Sequence, residues 1–312
     1  MQRLNKFIFI TALLLVVVLL GLVFRDTFIP KEVNVKTETA SVSEQIENVL
    51  SEATGEEEQL EADDIIEPTS SITEEIKENV REVIKGVINL FNKDLKIVSI
   101  GDSLTQGVGD ETKSGGYVGI LNHTFEDNQL KISLENYGKR GNRTDQLLKR
   151  LEDKEIARSI KEADIVLITI GANDIMKIVK SNFIDLKVET FEREQQGYTD
   201  RLRAIFDKIN DLNPDTKIYL IGFYNPFEGY FGDIKELEVI MRGWNEAGKT
   251  VTEEYDNVNY IPTSDLFEGS NLELLAEDYF HPNTSGYKLI AKRVLEYVEE
   301  ISLETETEET EE

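Results

Sequence analysis

The chain of 312 residues has no cysteine, two histidines, one tryptophan, three methionines and six prolines. Without cysteine there are no disulfides, no thiolate metal sites, no thiol nucleophile and no lipid-modified N-terminal cysteine. Two histidines are too few for a His-rich metal centre, and any imidazole base must be His123 or His281. Positive charge is also scarce: 34 Lys and Arg stand against 61 Asp and Glu, a formal net charge of −27. Such a balance repels phosphate backbones and argues against nucleic acid as a partner.

The negative charge is unevenly placed. Residues 1–25 carry +3, residues 26–94 carry −12 (6 basic, 18 acidic), residues 95–298 carry −10 (25 basic, 35 acidic) and residues 299–312 carry −8. The two strongly acidic flanks are poor in large apolar residues, so they stay solvated and extend by self-repulsion.

At the N-terminus, Arg3 and Lys6 precede an apolar stretch from Phe7 to Phe24, interrupted only by Thr11 and Gly21. At 1.5 Å per residue that run spans about 27 Å, enough for a bilayer core. It is longer than the apolar region of a cleaved signal peptide, about 7–15 residues, and Gly21-Leu22-Val23-Phe24-Arg25 makes a poor cleavage site. Residues 1–25 therefore read as an uncleaved signal anchor. The chain would be a single-pass protein of the cell membrane, with its N-terminus cytoplasmic and the remainder outside. Residues 26–70, with Glu56-Glu57-Glu58 and Pro68-Thr69-Ser70-Ser71, read as a disordered acidic stalk. Ser71 and Glu74 form a capping box for an amphipathic helix over 71–92. A folded domain is expected over 93–300, and a disordered acidic tail over 301–312.

Within that domain the candidate strands are 96–100, 132–136, 165–170, 218–223 and 258–261. The first, third and fourth are nearly continuous runs of Ile, Val and Leu, as in strands buried on both faces of a parallel sheet. Helical patterns over about 116–127, 144–160, 187–212, 233–255 and 284–300 alternate with them. The fold class is therefore α/β, a three-layer α/β/α sandwich with a parallel five-stranded sheet. Functional sites in such folds form beyond the carboxyl ends of the strands.

Four short motifs fall at those ends or just before the last helix: Gly101-Asp102-Ser103-Leu104, Asn136-Tyr137-Gly138-Lys139-Arg140-Gly141, Gly171-Ala172-Asn173-Asp174 and Asp278-Tyr279-Phe280-His281. Ser103 offers a hydroxyl that needs a neighbouring base to become nucleophilic. Asp278, three residues before His281, can hold the imidazole in one tautomer and stabilise its protonated form. Gly141, through its backbone N–H, and Asn173, through its side-chain amide, are candidate donors to an oxyanion, joined by the N–H of Ser103. Asp174 reads as a helix cap, which leaves Asn173 free to point elsewhere. His123 lies mid-helix with no carboxylate two or three residues upstream, and reads as structural.

Together these blocks resemble the SGNH/GDSL hydrolases: Gly-Asp-Ser-Leu, Asn-x-Gly-x-x-Gly, Gly-x-Asn-Asp and Asp-x-x-His-Pro, over roughly residues 94–300. The second block has one residue more before Thr144 than the common spacing. The resemblance implies a flavodoxin-like strand order 2-1-3-4-5 and no metal or other cofactor. It also implies a nucleophile at Ser103, a base at His281 oriented by Asp278, and an oxyanion hole from Ser103, Gly141 and Asn173. The anchored form looks like the bacterial lysophospholipase-like acylhydrolases. Arg140 and Arg143, with Lys139, surround the oxyanion glycine and are candidate substrate contacts for an anionic group. Tyr224 and Phe227, with Phe223, Tyr230 and Phe231, follow the fourth strand and are candidates for an acyl pocket or lid. Trp244 reads as core. The expected activity is that of a membrane-tethered extracytoplasmic serine esterase or lipase on a small acyl-ester or lipid substrate. The alternatives are an O-acetylesterase on wall polysaccharide, and a non-catalytic binding module on the same fold.

Overall fold

The structure is a computed structural model that describes residues 94–182, 187–231, 234–269 and 271–309. The segments expected to be an anchor (1–25), a stalk (26–70) and an amphipathic helix (71–92) lie outside the described residues. Among the described residues no helix is long and apolar enough to cross a membrane.

In chain order the elements are β1 (Leu95–Gly101), α1 (Ser103–Gln106), α2 (Gly116–Asp127), β2 (Ile132–Gly138), α3 (Thr144–Arg150), α4 (Lys154–Lys161) and β3 (Ile165–Thr169). Then come α5 (Ala172–Asn182), α6 (Val188–Leu212), β4 (Lys217–Ile221), α7 (Glu228–Phe231), α8 (Lys235–Thr252), β5 (Val258–Ile261), a 3-10 turn (Ser264–Leu266), α9 (Asn271–Leu274) and α10 (Thr284–Glu309). The five strands are all parallel, in the order β2-β1-β3-β4-β5. That is the order the resemblance implied.

The winding places the site. From β1 the chain moves to one side to reach β2, then reverses and passes over β1 to β3, and continues to β4 and β5. Right-handed crossovers put helices on opposite faces when the direction of travel reverses. Accordingly α2 and α10 pack together, while α6 packs with α3, α4 and α8. The loops after β1 and β3 diverge at the reversal and leave a crevice between them.

Side chains alternate across the strands. Ile97, Leu167, Tyr219, Ile221 and Ile261 join Leu121, Phe125, Tyr287 and Val294 of α2 and α10 in one core. Val98, Ile100, Val166, Ile168, Ile218 and Leu220 are likewise buried, and their alternation turns them to the other face. Trp244 is 2% exposed and stacks on Tyr198 with ring centroids 4.8 Å apart, as a core residue.

Three boundaries differ from the sequence reading. The helix expected over 144–160 is two: α3 ends at Arg150, and Asp153 starts α4 by accepting from the N–H groups of Glu155 and Ile156. Helix α5 was anticipated only through a cap at Asp174, with no range. It begins inside the third motif and buries Ile175, Met176, Ile178 and Val179. Helix α10 continues to Glu309, well into the stretch assigned to a disordered tail. A helix already nucleated by packing extends at little cost per residue, and glutamate is a good helix former.

Candidate active site

Strand β1 ends at Gly101, and the chain turns at once into α1. Asp102 is its N-cap, accepting from Leu104 N–H at 3.0 Å, so Ser103 is the first helical residue. From the other end of the domain, the loop before α10 brings His281 against it. His281 Nε2 lies 2.9 Å from Ser103 Oγ, and His281 Nδ1 lies 2.5 Å from Asp278 Oδ2. His281 is 1% exposed and Ser103 4%. The residues expected to be nucleophile, base and orienter thus form one hydrogen-bonded line.

Asp278 is held by more than the ring. Its Oδ1 accepts from the N–H groups of Phe280 (3.0 Å) and His281 (2.9 Å), which leaves Oδ2 for the imidazole. Burial works to raise its pKa. The His281 ring, by hydrogen bond and by charge, and those two backbone N–H groups outweigh burial and hold the carboxyl below its usual range. Asp278 is therefore a carboxylate throughout the physiological range.

The loop carrying His281 is fixed from several sides. Tyr224 donates its hydroxyl to Phe280 O at 2.6 Å and stacks on Phe267. Thr284 donates to Asp110 Oδ1 (2.8 Å), and Tyr287 to Val108 O (2.6 Å), so the start of α10 is tied to the segment after α1. Gly109 allows this approach: its φ is +90°, and a Cβ there would sit 2.6 Å from Pro282 O and 2.9 Å from His281 Cβ.

The two oxyanion candidates come from different crossovers. Gly141, with φ +75°, lies in the loop between β2 and α3, and Asn173 lies in the first turn of α5. Asn173 Nδ2 donates to Asn142 O at 3.1 Å. An amide nitrogen carries two hydrogens, so one is left for a ligand. The N–H groups of Ser103 and Gly141 donate no hydrogen bond among the described residues. Asn173 lines both a small pocket that contains Ser103 and His281 and an adjoining groove that contains Gly141.

Asp174 is not the cap the sequence suggested. It is buried in the first turn of α5 and accepts from Thr144 N (2.9 Å), Thr144 Oγ1 (2.6 Å) and Arg201 Nη2 (3.1 Å), while Arg201 Nε donates to Thr144 Oγ1 (2.6 Å). This buried cluster locks the Gly141 loop to the Asn173 helix. It gives Thr144 a structural place despite the extra residue before it.

Arg150 supports the same region, donating to Gly101 O, Asn142 Oδ1 and Tyr137 O. Neither Arg150 nor Arg201 was singled out from the sequence. Each looks like an ordinary helix cation, and only its position against a distant segment gives it this role.

Other expectations fare unevenly. Phe223 and Tyr224 line the pocket beside Ser103, with Leu104, Met176, Met241 and Phe280. Phe227 does not; it packs edge-on against Phe280, 6.2 Å between centroids, behind the pocket wall. The Tyr230 and Phe231 side chains are outside the described set. Arg143 lines the adjoining groove but is paired with Asp145 by two hydrogen bonds (3.0 and 3.2 Å). Arg140 lines it without an ion pair. His123 stands exposed on α2 beside Glu126. Among the described residues no group of His, Asp or Glu side chains is arranged to hold a metal ion.

Asp102, 1% exposed, also accepts from Thr169 Oγ1 at 2.9 Å. Burial pushes its pKa up to about 7, against the pull of these hydrogen bonds. The folded chain therefore keeps this proton between pH 3.8, the ordinary value, and about 7, while the unfolded chain releases it. Stability must fall as pH rises through that window and level off above it. The Asp102→Asn variant lacks this titration. Its melting temperature is expected to gain on the parent from pH 5 to about pH 7 and to keep a constant lead above that; a difference that does not change between pH 5 and pH 7 would refute the assignment.

The chain is 37% identical over 214 residues to the uncharacterized protein YpmR of Bacillus subtilis strain 168, covering 67% of this chain and 84% of that protein. It is 26% identical over 205 residues to the spore germination lipase LipC of Bacillus licheniformis, covering 64% and 94% respectively. The crystal structure of the lipase Lip_vut3 from a goat rumen metagenome superposes with a TM-score of 0.58 at 25% identity, over 66% of this chain and 97% of that one. With the family's sequence profile matching residues 99–289, the chain belongs to the GDSL-like lipase/acylhydrolase family and is a carboxylic ester hydrolase.

Proposed function

We propose that this hydrolase is a membrane-tethered, extracytoplasmic serine esterase that works through an acyl-enzyme on Ser103. The observation that carries the reading is the continuous line Asp278–His281–Ser103. Ser103 Oγ attacks the ester carbonyl carbon while its proton passes to His281 Nε2. The carbonyl oxygen becomes an oxyanion among the N–H groups of Ser103 and Gly141 and the amide of Asn173. The C–O bond to the alcohol then breaks, and His281 returns the proton to the departing oxygen. Water, deprotonated by His281, attacks the acyl-enzyme, and the carboxylic acid leaves as Ser103 regains its proton. Asp278 stabilises the imidazolium formed in both halves.

The pocket beside Ser103 is apolar and has a volume of about 20 Å³. That is room for about one water-sized group, which suits an acetyl or other short acyl chain. Met176 and Met241 in its wall are flexible enough to open it further. The lipase or lysophospholipase-like reading draws on the likeness to LipC. The O-acetylesterase reading draws on the pocket's size, which favours it. A binding module without turnover loses its appeal once nucleophile, base and orienter stand in line. The tether rests on the apolar run from Phe7 to Phe24.

The test uses the full-length chain. A fluorophosphonate is expected to label Ser103 stoichiometrically, and turnover of p-nitrophenyl esters is expected to peak between acetate and butyrate, with the protein recovered in the membrane fraction. Folded protein that takes no label would end the serine-esterase reading. A peak at palmitate would end the short-acyl one alone.

A further inference from the structure

The groove that adjoins the Ser103 pocket is large, about 920 Å³, and its charge is opposite to that of the domain around it. Seven cationic and two anionic side chains line it, whereas residues 95–298 carry −10. It begins at Gly141 and Asn173 and runs along α5, where Lys177 follows Asn173 by one helical turn and Ser181 follows Lys177 by another. Eight residues of helix make the groove about 12 Å long on that side. Lys149 faces in from α3, and Lys139 and Arg140 from the loop carrying Gly141.

Several of these cations are already committed. Arg150 is spent on backbone carbonyls and Asn142, and Arg143 on Asp145. Lys139, Arg140, Lys149 and Lys177 have no ion pair among the described residues. Arg140 goes further: its Nε is buried with no hydrogen-bond partner. A buried donor left unmatched is costly. Of the two acids, Asp153 is occupied in capping α4, and Glu152 stands beside it in sequence.

We propose that this groove binds a phosphate-type anionic group on the alcohol part of the ester, with Lys139, Arg140, Lys149 and Lys177 as its specificity determinants. The proposal rests on the serine-esterase reading. The apolar pocket takes the acyl chain, Asn173 sits at the junction, and the alcohol part has the groove as its remaining polar path. An anion there gains charge-assisted hydrogen bonds from a fork-shaped guanidinium and several ammonium groups.

The experiment compares monobutyrylglycerol with monobutyrylglycerol phosphate, both soluble, using the full-length chain at low salt. The phosphorylated ester is expected to have a kcat/KM about tenfold higher or more. That ratio should shrink as salt is added, and should fall towards one in the Lys139→Gln/Lys149→Gln/Lys177→Gln variant and, separately, in Arg140→Gln. Competition against p-nitrophenyl acetate distinguishes the sources of the anion. Inhibition by glycerol phosphate would point to a soluble phosphorylated alcohol, and inhibition by phosphatidylglycerol vesicles alone to a lipid head group. Either would support the groove. Equal kcat/KM for the two esters, with p-nitrophenyl acetate still hydrolysed through Ser103, would overturn the groove proposal and leave the esterase standing. No Ser103-dependent turnover on any ester would remove both.

Discussion

Replacing Ser103 with alanine is expected to lower kcat by about 10⁶-fold, leaving only the residual rate that the oxyanion donors and substrate binding supply. Ser103 and His281 are expected to act as one unit through the 2.9 Å contact between Oγ and Nε2. Without the hydroxyl, the imidazole has nothing to deprotonate in the first step. It follows that Ser103→Ala/His281→Ala should be little worse than Ser103→Ala alone. Single-turnover rates on p-nitrophenyl acetate measure both. If the two losses instead multiply, the residues do not share a step.

The second large effect concerns Asp278 and has an unusual order. Asp278→Asn is expected to cost about 10⁴-fold in kcat, and Asp278→Ala less. The two backbone N–H groups of Phe280 and His281 point at Oδ1, so an asparagine must keep its oxygen there. Its Nδ2 then replaces Oδ2 and donates to His281 Nδ1. That bond fixes the tautomer with hydrogen on Nε2, which cannot accept the proton of Ser103. Alanine removes the orienter but leaves the imidazole free to reach the productive tautomer. Comparing kcat for the two variants, with melting curves to check folding, tests the claim. An asparagine variant more active than the alanine one would show that Oδ1 is not held as described.

Much of this was readable from residues alone, for physical reasons. Strands such as Ile165–Thr169 are buried on both faces, so they appear as unbroken apolar runs that stand out from the helical periodicity around them. Asp278 and His281 sit on one loop, and their spacing of three already suggested contact. What escaped was long-range. Helix α5 starts within its own motif, so Asp174 looked like the cap of a helix rather than a residue inside its first turn. Asp174 instead bonds Thr144, thirty residues earlier, and Arg201, 27 later. The place of Phe227 behind Phe280 depends on how two loops fold over each other. No local pattern separates a residue that lines a pocket from one that backs its wall. Arg140 and Arg143 are a similar case, because the Asp145 that occupies Arg143 becomes its partner only through the turn into α3.

The nucleophile and its base are 178 residues apart, and the base arrives on the loop before the final helix. Its attachment points, Thr284 on Asp110 and Tyr287 on Val108, lie in the segment that follows α1. A nascent or truncated chain that lacks this last segment has Ser103 but no means of activating it. On the proposed mechanism, hydrolytic power therefore requires that the two ends of the domain have met. A fragment that stops before His281 is then expected to be inert towards the esters it meets.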